Sequence, residues 1–271
     1  MTDASDDDRR IRSRREPPPL VEATLIARHE ITPRLLRLAF DGPSLANMLV
    51  EAAASVRLLV PSPGIDQLVL PEWNGNEFLL PGGTRPALRT FTPLQPASGA
   101  TLDLEIVRHP GGAVSGWAET APIGSRVAIS GPGRGFEPPT DATEFHLLGD
   151  ETAAPAIGQL LTALPPTATI SVDIEVTTTA AIRPLPDHPG AVVRWTALSS
   201  GERAGSTLLA AVEPLDELPP SAHVWAAGEA AAVQAIRKLL LVERGLARAQ
   251  ATIRGYWKPQ RPPSASEAPT P

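Results

Sequence analysis

The pattern of apolar and polar positions changes once along the chain, near residue 140. Up to that point the apolar runs are short, are bounded by proline and glycine, and alternate with polar residues as β-strands do. The predicted strands are LVEATLIARHE, RLLRLAF, SVRLLVP, ALRTFT, TLDLEIVRH and SRVAIS, and GPSLANMLVEAAA is predicted to form a short helix. Many short strands separated by turns predict an antiparallel β-barrel over residues 20–139.

Beyond residue 140, predicted strands alternate with helices. EFHLLGD is a strand, and the apolar residues that follow it recur at i, i+3, i+4 and i+7, which indicates one helix face: Ile157, Leu160, Leu161 and Leu164. The strands TATISVDIEVT, GAVVRWTAL and QATIRGYW come later, and HVWAAGEAAAVQAIRKLLLVERG repeats the strand–loop–helix order. This α/β alternation predicts a parallel sheet over residues 140–258, with ligands at the carboxyl ends of its strands. A linker near residues 138–144 is expected to join the two halves.

Composition narrows the possible functions. The 271 residues carry a formal charge of −6 and no cysteine, which argues against a nucleic-acid binder and excludes disulfides and thiolate chemistry. The five histidines lack metal-ligand spacing, so no metal site is predicted, and the usual hydrolase and P-loop motifs are absent. No apolar run resembles a secretory signal or a membrane span, so we expect a cytoplasmic protein without stable membrane insertion. Residues 1–19 and 259–271 are predicted to be disordered tails.

Two segments of the first half are candidates for ligand binding. In ALRTFTPL, an arginine and an aromatic residue two positions later point to the same face of a strand, where an arginine suits an anion. In RHPGGAVSGWAE, Gly111 and Gly112 permit a sharp turn, and the amides of residues 113–115 at the start of a helix suit a phosphate. From these residues alone, an ordinary strand end and an ordinary glycine turn are the alternatives.

Two further candidate segments follow strands of the second half. In GDETAAP, Asp150 and Thr152 suit either helix capping or a ligand-binding loop. The small residues of WAAGEAAA let a flat ligand approach the backbone, although such residues are equally typical of any strand-to-helix turn. No pair of carboxylates stands out as a general acid and base.

Taken together and in this order, the segments resemble the siderophore-interacting protein family, which comprises flavin-dependent ferric-siderophore reductases related to ferredoxin reductases. The resemblance spans roughly residues 20–258. It rests on these motifs: RTFTPL, HPGGAVSGWAE, ISGPGRGFEP, GDETAAPAI, VWAAGEA, VERG and GYWKPQ.

The resemblance implies a barrel that binds FAD and an α/β domain that binds NADPH or NADH as electron donor. Phe91 takes the place of a tyrosine that packs on the isoalloxazine, and Thr92 is expected near flavin N5, so these two are the flavin-proximal positions. No side chain is expected to act as a catalytic acid or base. The cofactor-binding positions implied by the resemblance are Arg89, Thr90, Phe91, Thr92, His109, Gly112, Ala113, Val114, Ser115, Trp117, Asp150, Glu151, Thr152, Ala153, Gly228, Glu229, Tyr256 and Trp257.

The implied reaction is reduction of an anionic ferric siderophore, which releases Fe(II) for iron acquisition. The positions implied to bind this substrate are Arg57, Arg134 and Lys258, and ordinary surface charge is the alternative reading of all three. Two positions depart from the family pattern. Phe91 replaces the tyrosine, and Leu94 replaces a second arginine, which removes one positive charge.

Other functions remain compatible with the same motifs. One is a flavin reductase or electron-transfer protein with another acceptor, and another is a non-catalytic member that binds a siderophore or flavin. In TTTAAIRPL, only Arg183 is a candidate to bind the 2′-phosphate of NADPH. The sequence predicts neither the siderophore nor the oligomeric state.

Overall fold

Two β-sheets organise the protein, one in each half of the chain. The computed structural model describes residues 17–45, 48, 50–95, 101–215 and 217–259. Apart from residues 17–19 and 259, the two predicted tails lie outside the described residues. Among the helices of the described ranges, none has the length and apolar character needed to cross a membrane.

The N-terminal half forms an antiparallel, barrel-like sheet. Its elements are β1 (Leu20–Thr32), β2 (Leu35–Asp41), β3 (Val56–Leu59), β4 (Glu72–Trp73), β5 (Phe78–Leu79), β6 (Leu88–Phe91), β7 (Pro93–Leu94), β8 (Leu102–Val107), α1 (Ala113–Thr120) and β9 (Arg126–Ser130). Seven of these strands pair in the order β6-β3-β9-β1-β2-β8-β7, and the two edge strands do not pair with each other, so the sheet is open. The antiparallel prediction is confirmed, with a barrel-like sheet in place of a closed barrel.

Alternation along the strands builds the core of this half. In β2, Leu36, Leu38 and Phe40 are buried while Arg37 points away, as the period of two in a strand requires. These side chains join aliphatic residues of β1, β3, β8 and β9 and the apolar face of α1 in one cluster. Burial of this cluster fixes the positions of the loops at the ends of the strands.

The prediction of a helix within residues 42–54 is wrong for the residues of this segment that the structure describes. Leu45 N–H bonds to Gly42 O, and Ala54 N–H bonds to Glu51 O, so the chain makes four-residue turns in place of a helix. Ala53 has a φ of +53°, a left-handed conformation that cannot continue a right-handed helix. Residues 46, 47 and 49 lie outside the described part of the chain.

The C-terminal half is a parallel sheet with helices on both faces. Its elements are β10 (Glu144–Asp150), α2 (Ala154–Ala163), β11 (Thr169–Val176), β12 (Ala191–Ala197), α3 (Ser206–Val212), β13 (Ala222–Glu229), α4 (Ala230–Lys238) and β14 (Ala251–Trp257). The strand order is β12-β11-β10-β13-β14, with parallel pairing throughout. Phe145 and Leu147 of β10 pack in one apolar cluster with α2, and Leu148 packs in another with α3 and α4. The α/β prediction is confirmed, while α3 was not predicted.

Side chains join the two halves at the carboxyl edge of the parallel sheet. The Gln159 amide accepts from Ala53 N–H at 2.9 Å and donates to Pro93 O at 2.7 Å. Arg254 of β14 donates to the carbonyls of Ala53 and Gly135, at 3.1 and 2.8 Å. Helix α2 and strand β14 are thereby held against the N-terminal half.

Candidate functional site

A buried carboxylate holds three strand ends together. Asp150 ends β10, and its Oδ2 accepts from the backbone N–H of Glu229 at 2.9 Å and from Trp257 Nε1 at 2.6 Å. Its Oδ1 accepts from the backbone N–H and the hydroxyl of Thr152, at 2.9 and 2.5 Å. Burial raises the pKa of the Asp150 carboxyl above its ordinary value, and the hydrogen bonds oppose that shift. Since both oxygens are occupied, Asp150 acts as a structural anchor for this junction.

Glycine beside this carboxylate is a steric requirement. Gly228 has a φ of +156°, and a Cβ there would lie 2.6 Å from Asp150 Oδ2. A Cβ on Gly149 would lie 2.6 Å from the Cβ of Ala153. The small residues of GDETA and AAGEA therefore let two neighbouring loops approach closely. Glu229 begins α4 by accepting from Ala232 N–H at 2.8 Å, so its carboxylate is used as a helix cap.

The end of β14 meets the barrel-like sheet at the RTFT strand. The hydroxyls of Tyr256 and Thr92 share a hydrogen bond, and the Tyr256 ring packs edge-on against Trp225 with centroids 6.4 Å apart. Burial raises the pKa of the Tyr256 phenol to about 12. Phe91, one residue before Thr92, packs its ring partly against the barrel core. The structure thus brings together the predicted residues of two distant motifs, RTFT and GYW.

The GGAVS segment forms a helix start without a side-chain cap. Gly112 precedes α1, and the first bond of that helix runs from Gly116 N–H to Gly112 O, so residues 113–115 are its opening amides. The Ser115 hydroxyl accepts from His109 N–H at 3.0 Å, which fixes the loop. The His109 ring lies directly over Gly112, where a Cβ would be 2.2 Å from its Cε1. The opening amides of this helix suit a phosphate.

Four arginines line one cleft of about 1000 Å³. Arg85 is paired with Glu77, and the other three come from separate segments. They are Arg57 of β3, Arg89 of β6 and Arg134 of the loop after β9. Arg89 donates to its neighbour Leu88 O at 2.8 Å, and among the described residues none of the three pairs with a carboxylate. Of the three positions implied to bind the substrate, Arg57 and Arg134 line this cleft, whereas Lys258 is not among its lining residues.

Comparison with known proteins decides the family. Residues 24–136 match the model of the siderophore-interacting FAD-binding domain, and residues 142–260 match that of the siderophore-interacting protein. The chain belongs to the siderophore-interacting protein family. It is 30% identical to the ferric vibriobactin reductase ViuB of Vibrio cholerae, over 84% of this chain and 85% of that protein. It is 32% identical to an uncharacterized protein of Mycobacterium tuberculosis, over 89% and 90%.

A solved structure agrees with this assignment. A siderophore utilization protein from T. fusca superimposes with a TM-score of 0.76 and 31% identity, covering 90% of this chain and 94% of that one. This siderophore-interacting protein therefore has a FAD-binding domain in its N-terminal half. The uncapped start of α1 and the close approach of His109 to Gly112 fit a phosphate-containing cofactor. The roles of individual residues toward FAD and nicotinamide stay predictions.

Two contacts of this siderophore-interacting protein were missed from sequence. Glu151, predicted to line the nicotinamide–flavin junction, is bound by Arg34 of the β1–β2 turn at 2.5 Å, which adds a link between the halves. Arg183, the candidate for the NADPH phosphate, pairs with the fully buried carboxylate of Glu105 at 2.6 Å, and Arg37 binds the other oxygen of Glu105 at 2.6 Å. Burial lowers the pKa of Arg183 from its ordinary value. No local sequence signal marks contacts between residues so far apart.

Proposed function

We propose that this siderophore-interacting protein is a FAD-dependent reductase that passes electrons from NADH or NADPH to an anionic ferric siderophore. The observation that carries the proposal is the arginine cleft beside β6 of the FAD-binding domain. Guanidinium groups without carboxylate partners attract anions and form charge-assisted bonds with oxygen-rich ligands. The reaction balances as NADH plus two Fe(III) giving NAD⁺, a proton and two Fe(II).

The N-terminal residues are proposed to hold the cofactor. The amides of residues 113–115 and the Ser115 hydroxyl bind its phosphates, and Phe91 supports its ring system while Thr92 faces the reacting edge. Bound FAD supplies the step that converts a two-electron hydride donor into single-electron transfers. Arg89 extends from the same strand as Phe91 into the arginine cleft, so cofactor and acceptor positions adjoin.

The C-terminal residues are proposed to orient the nicotinamide. Asp150 fixes Trp257, the Glu229 amide and the Thr152 loop in one arrangement, so it is a positioning residue. The small residues around Gly228 let the ends of β10 and β13 approach closely beside the proposed ring site. Because the proposed donor is the intracellular nicotinamide pool, we propose a cytoplasmic location. The name of ViuB, a ferric vibriobactin reductase at 30% identity, supports a ferric chelate as acceptor.

The proposal is tested by comparing acceptors on the FAD-loaded protein. With NADH or NADPH in excess, Fe(II) trapped by ferrozine should form faster from ferric siderophores than free FAD or FMN is reduced. Reduction of free flavin alone would instead support a flavin reductase. Binding of a siderophore without Fe(II) formation would support a non-catalytic member.

A further inference from the structure

The side chain of Arg254, on β14, binds three backbone carbonyls of the N-terminal half. Its Nη1 donates to Ala53 O at 3.1 Å and to Arg134 O at 3.3 Å, and its Nη2 donates to Gly135 O at 2.8 Å. Two of these carbonyls belong to residues 131–136, the cleft loop, which carries Arg134 into the lining of the arginine cleft. Arg254 itself is not among the lining residues. It therefore holds the backbone of a cleft arginine from outside the cleft.

The cleft loop is also bonded to the neighbouring loop of its own half. Gly133 N–H donates to Ser55 O at 2.6 Å, and Phe136 N–H donates to Ala52 O at 2.8 Å. These backbone bonds lie within the N-terminal half, so they hold the two loops to each other independently of β14. What the guanidinium adds is the placement of this pair of loops relative to the parallel sheet.

The end of β14 is a fixed point from which this guanidinium acts. Trp257 Nε1 donates to the buried Asp150 carboxylate at 2.6 Å, and the hydroxyls of Tyr256 and Thr92 share a hydrogen bond. A guanidinium is a planar fork of donors, so one side chain reaches several acceptors, whereas an ammonium presents all its donors from a single nitrogen. Lysine in place of Arg254 would therefore keep the charge and lose the fork.

Gln159 of α2 forms a second link at the same junction. Its amide accepts from Ala53 N–H at 2.9 Å and donates to Pro93 O at 2.7 Å. Of these two links, only Arg254 reaches the cleft loop. Holding the two halves together is thus common to both residues, whereas the placement of Arg134 depends on Arg254.

We propose that Arg254 is a positioning residue for the anionic acceptor, and that it acts by holding the cleft loop where Arg134 lines the arginine cleft. This inference rests on the proposed function, because it takes the cleft as the acceptor site. Charge-assisted bonds from a guanidinium depend on geometry, so a displaced loop weakens the contact of Arg134 with an anion. Because Arg254 acts through Arg134, the two residues should not contribute independently to anion binding.

The test is a double-mutant cycle with an inert anion on the FAD-loaded protein. The probe is chromium(III) tris-oxalate, a substitution-inert trianion, and calorimetric titration measures its dissociation constant. Arg134→Gln and Arg254→Lys should each raise this constant about three- to fivefold, and the double variant should raise it no further. Gln159→Leu is the matched control, because it removes the other link, and it should leave the constant unchanged. Arg254→Lys should retain the wild-type affinity for FAD.

Three outcomes would overturn the inference alone. They are an unchanged constant in Arg254→Lys, an effect in the double variant equal to the product of the two single effects, and an equal rise in Gln159→Leu, which would assign the effect to the junction as a whole. Failure of the wild-type protein to bind the probe would contradict the proposed function as well, since the cleft would then not be an anion site. If Arg254→Lys fails to fold, Arg254→Gln replaces it, with Arg203→Gln as the control for the lost charge. Because the probe is not reduced, these results are independent of turnover.

Discussion

The Asp150 carboxylate and the Trp257 indole are joined by a 2.6 Å hydrogen bond, although 107 positions separate them in sequence. The same carboxylate oxygen also accepts from Glu229 N–H. These two contacts join the carboxyl ends of β10, β13 and β14. Several measurable consequences depend on them and on the neighbouring contacts.

Asp150→Asn should destabilise the protein. The amide keeps the shape of the side chain but offers N–H₂ toward donors, so a buried N–H group loses its acceptor at a cost of about 1–3 kcal/mol. Urea unfolding followed by tryptophan fluorescence measures the change. Asp173→Asn is the matched control, because it breaks an ion pair with the exposed Arg194 on the same sheet and should cost no more than about 1 kcal/mol. Equal losses in the two variants would contradict the role given to Asp150.

Gly112→Ala should weaken FAD binding. The added Cβ would lie 2.2 Å from the His109 ring, so this ring, a predicted cofactor-binding group, must leave its place over Gly112. We expect the dissociation constant, measured by flavin fluorescence, to rise at least about tenfold. Gly116→Ala is the control, because its Cβ would meet nothing within 4 Å in the same helix, and it should change affinity little. Unchanged affinity in Gly112→Ala would place the FAD phosphates elsewhere.

The phenol of Tyr256 should titrate far above its ordinary range. It is the only tyrosine, so alkaline titration by phenolate absorbance reports this residue alone. The midpoint should be about 12 in the folded protein, against an ordinary value of 10.0. Because burial raises the pKa of the folded state, the neutral phenol makes its full contribution to the free energy of unfolding below pH 10. This contribution is lost as pH rises toward 12. A folded-state midpoint near 10 would show that Tyr256 is not buried against Thr92.

The pairing of Arg183 with Glu105 leads us to expect no preference for NADPH. NADH should support a kcat/KM at least equal to that of NADPH, since this guanidinium is already committed to a buried carboxylate. Arg183→Gln should lower the free energy of unfolding by about 1–3 kcal/mol without changing the ratio of the two donors. Arg37→Gln, which removes the other partner of Glu105, is the control. A selective rise in the KM for NADPH in Arg183→Gln would refute this expectation.

Arg57 and Arg134 of the cleft should affect the acceptor and not the cofactor. Arg57→Gln and Arg134→Gln should each raise the KM for an anionic ferric siderophore by up to about fivefold, as expected for exposed charge pairs. Their affinity for FAD should be unchanged. Arg203→Gln, which removes an exposed arginine outside the cleft, is the control. An equal effect of all three changes would indicate a response to net charge alone.

The periodicity of the sequence predicted the architecture because burial follows local spacing. The alternation in β2 and the i, i+3, i+4 spacing of Ile157, Leu160 and Leu161 are local features that tertiary packing preserves. The β4–β5 hairpin was not predicted because its strands have only two residues each. The dipeptide Asn74-Gly75 is nevertheless typical of hairpin turns and could have indicated it.

The contacts that assemble the site could not be predicted in the same way. From the sequence, Asp150 is predicted to cap a helix. Its second carboxylate oxygen meets Trp257 only because β10, β13 and β14 are neighbours in the folded sheet. Likewise, Arg183 and Glu105 are 78 positions apart, and their pairing depends on how the two halves meet. Motif resemblance identified the segments, whereas their contacts follow from the tertiary fold.

The most direct test of ferric-siderophore reduction separates the two half-reactions under anaerobic conditions. FAD-loaded protein mixed with NADH should lose its visible flavin absorbance, and a ferric siderophore added afterwards should restore it. Ferrozine should then detect two Fe(II) for each flavin that is reoxidised. A protein that retains no FAD, or whose reduced flavin is not reoxidised by any ferric siderophore, would contradict the proposed function.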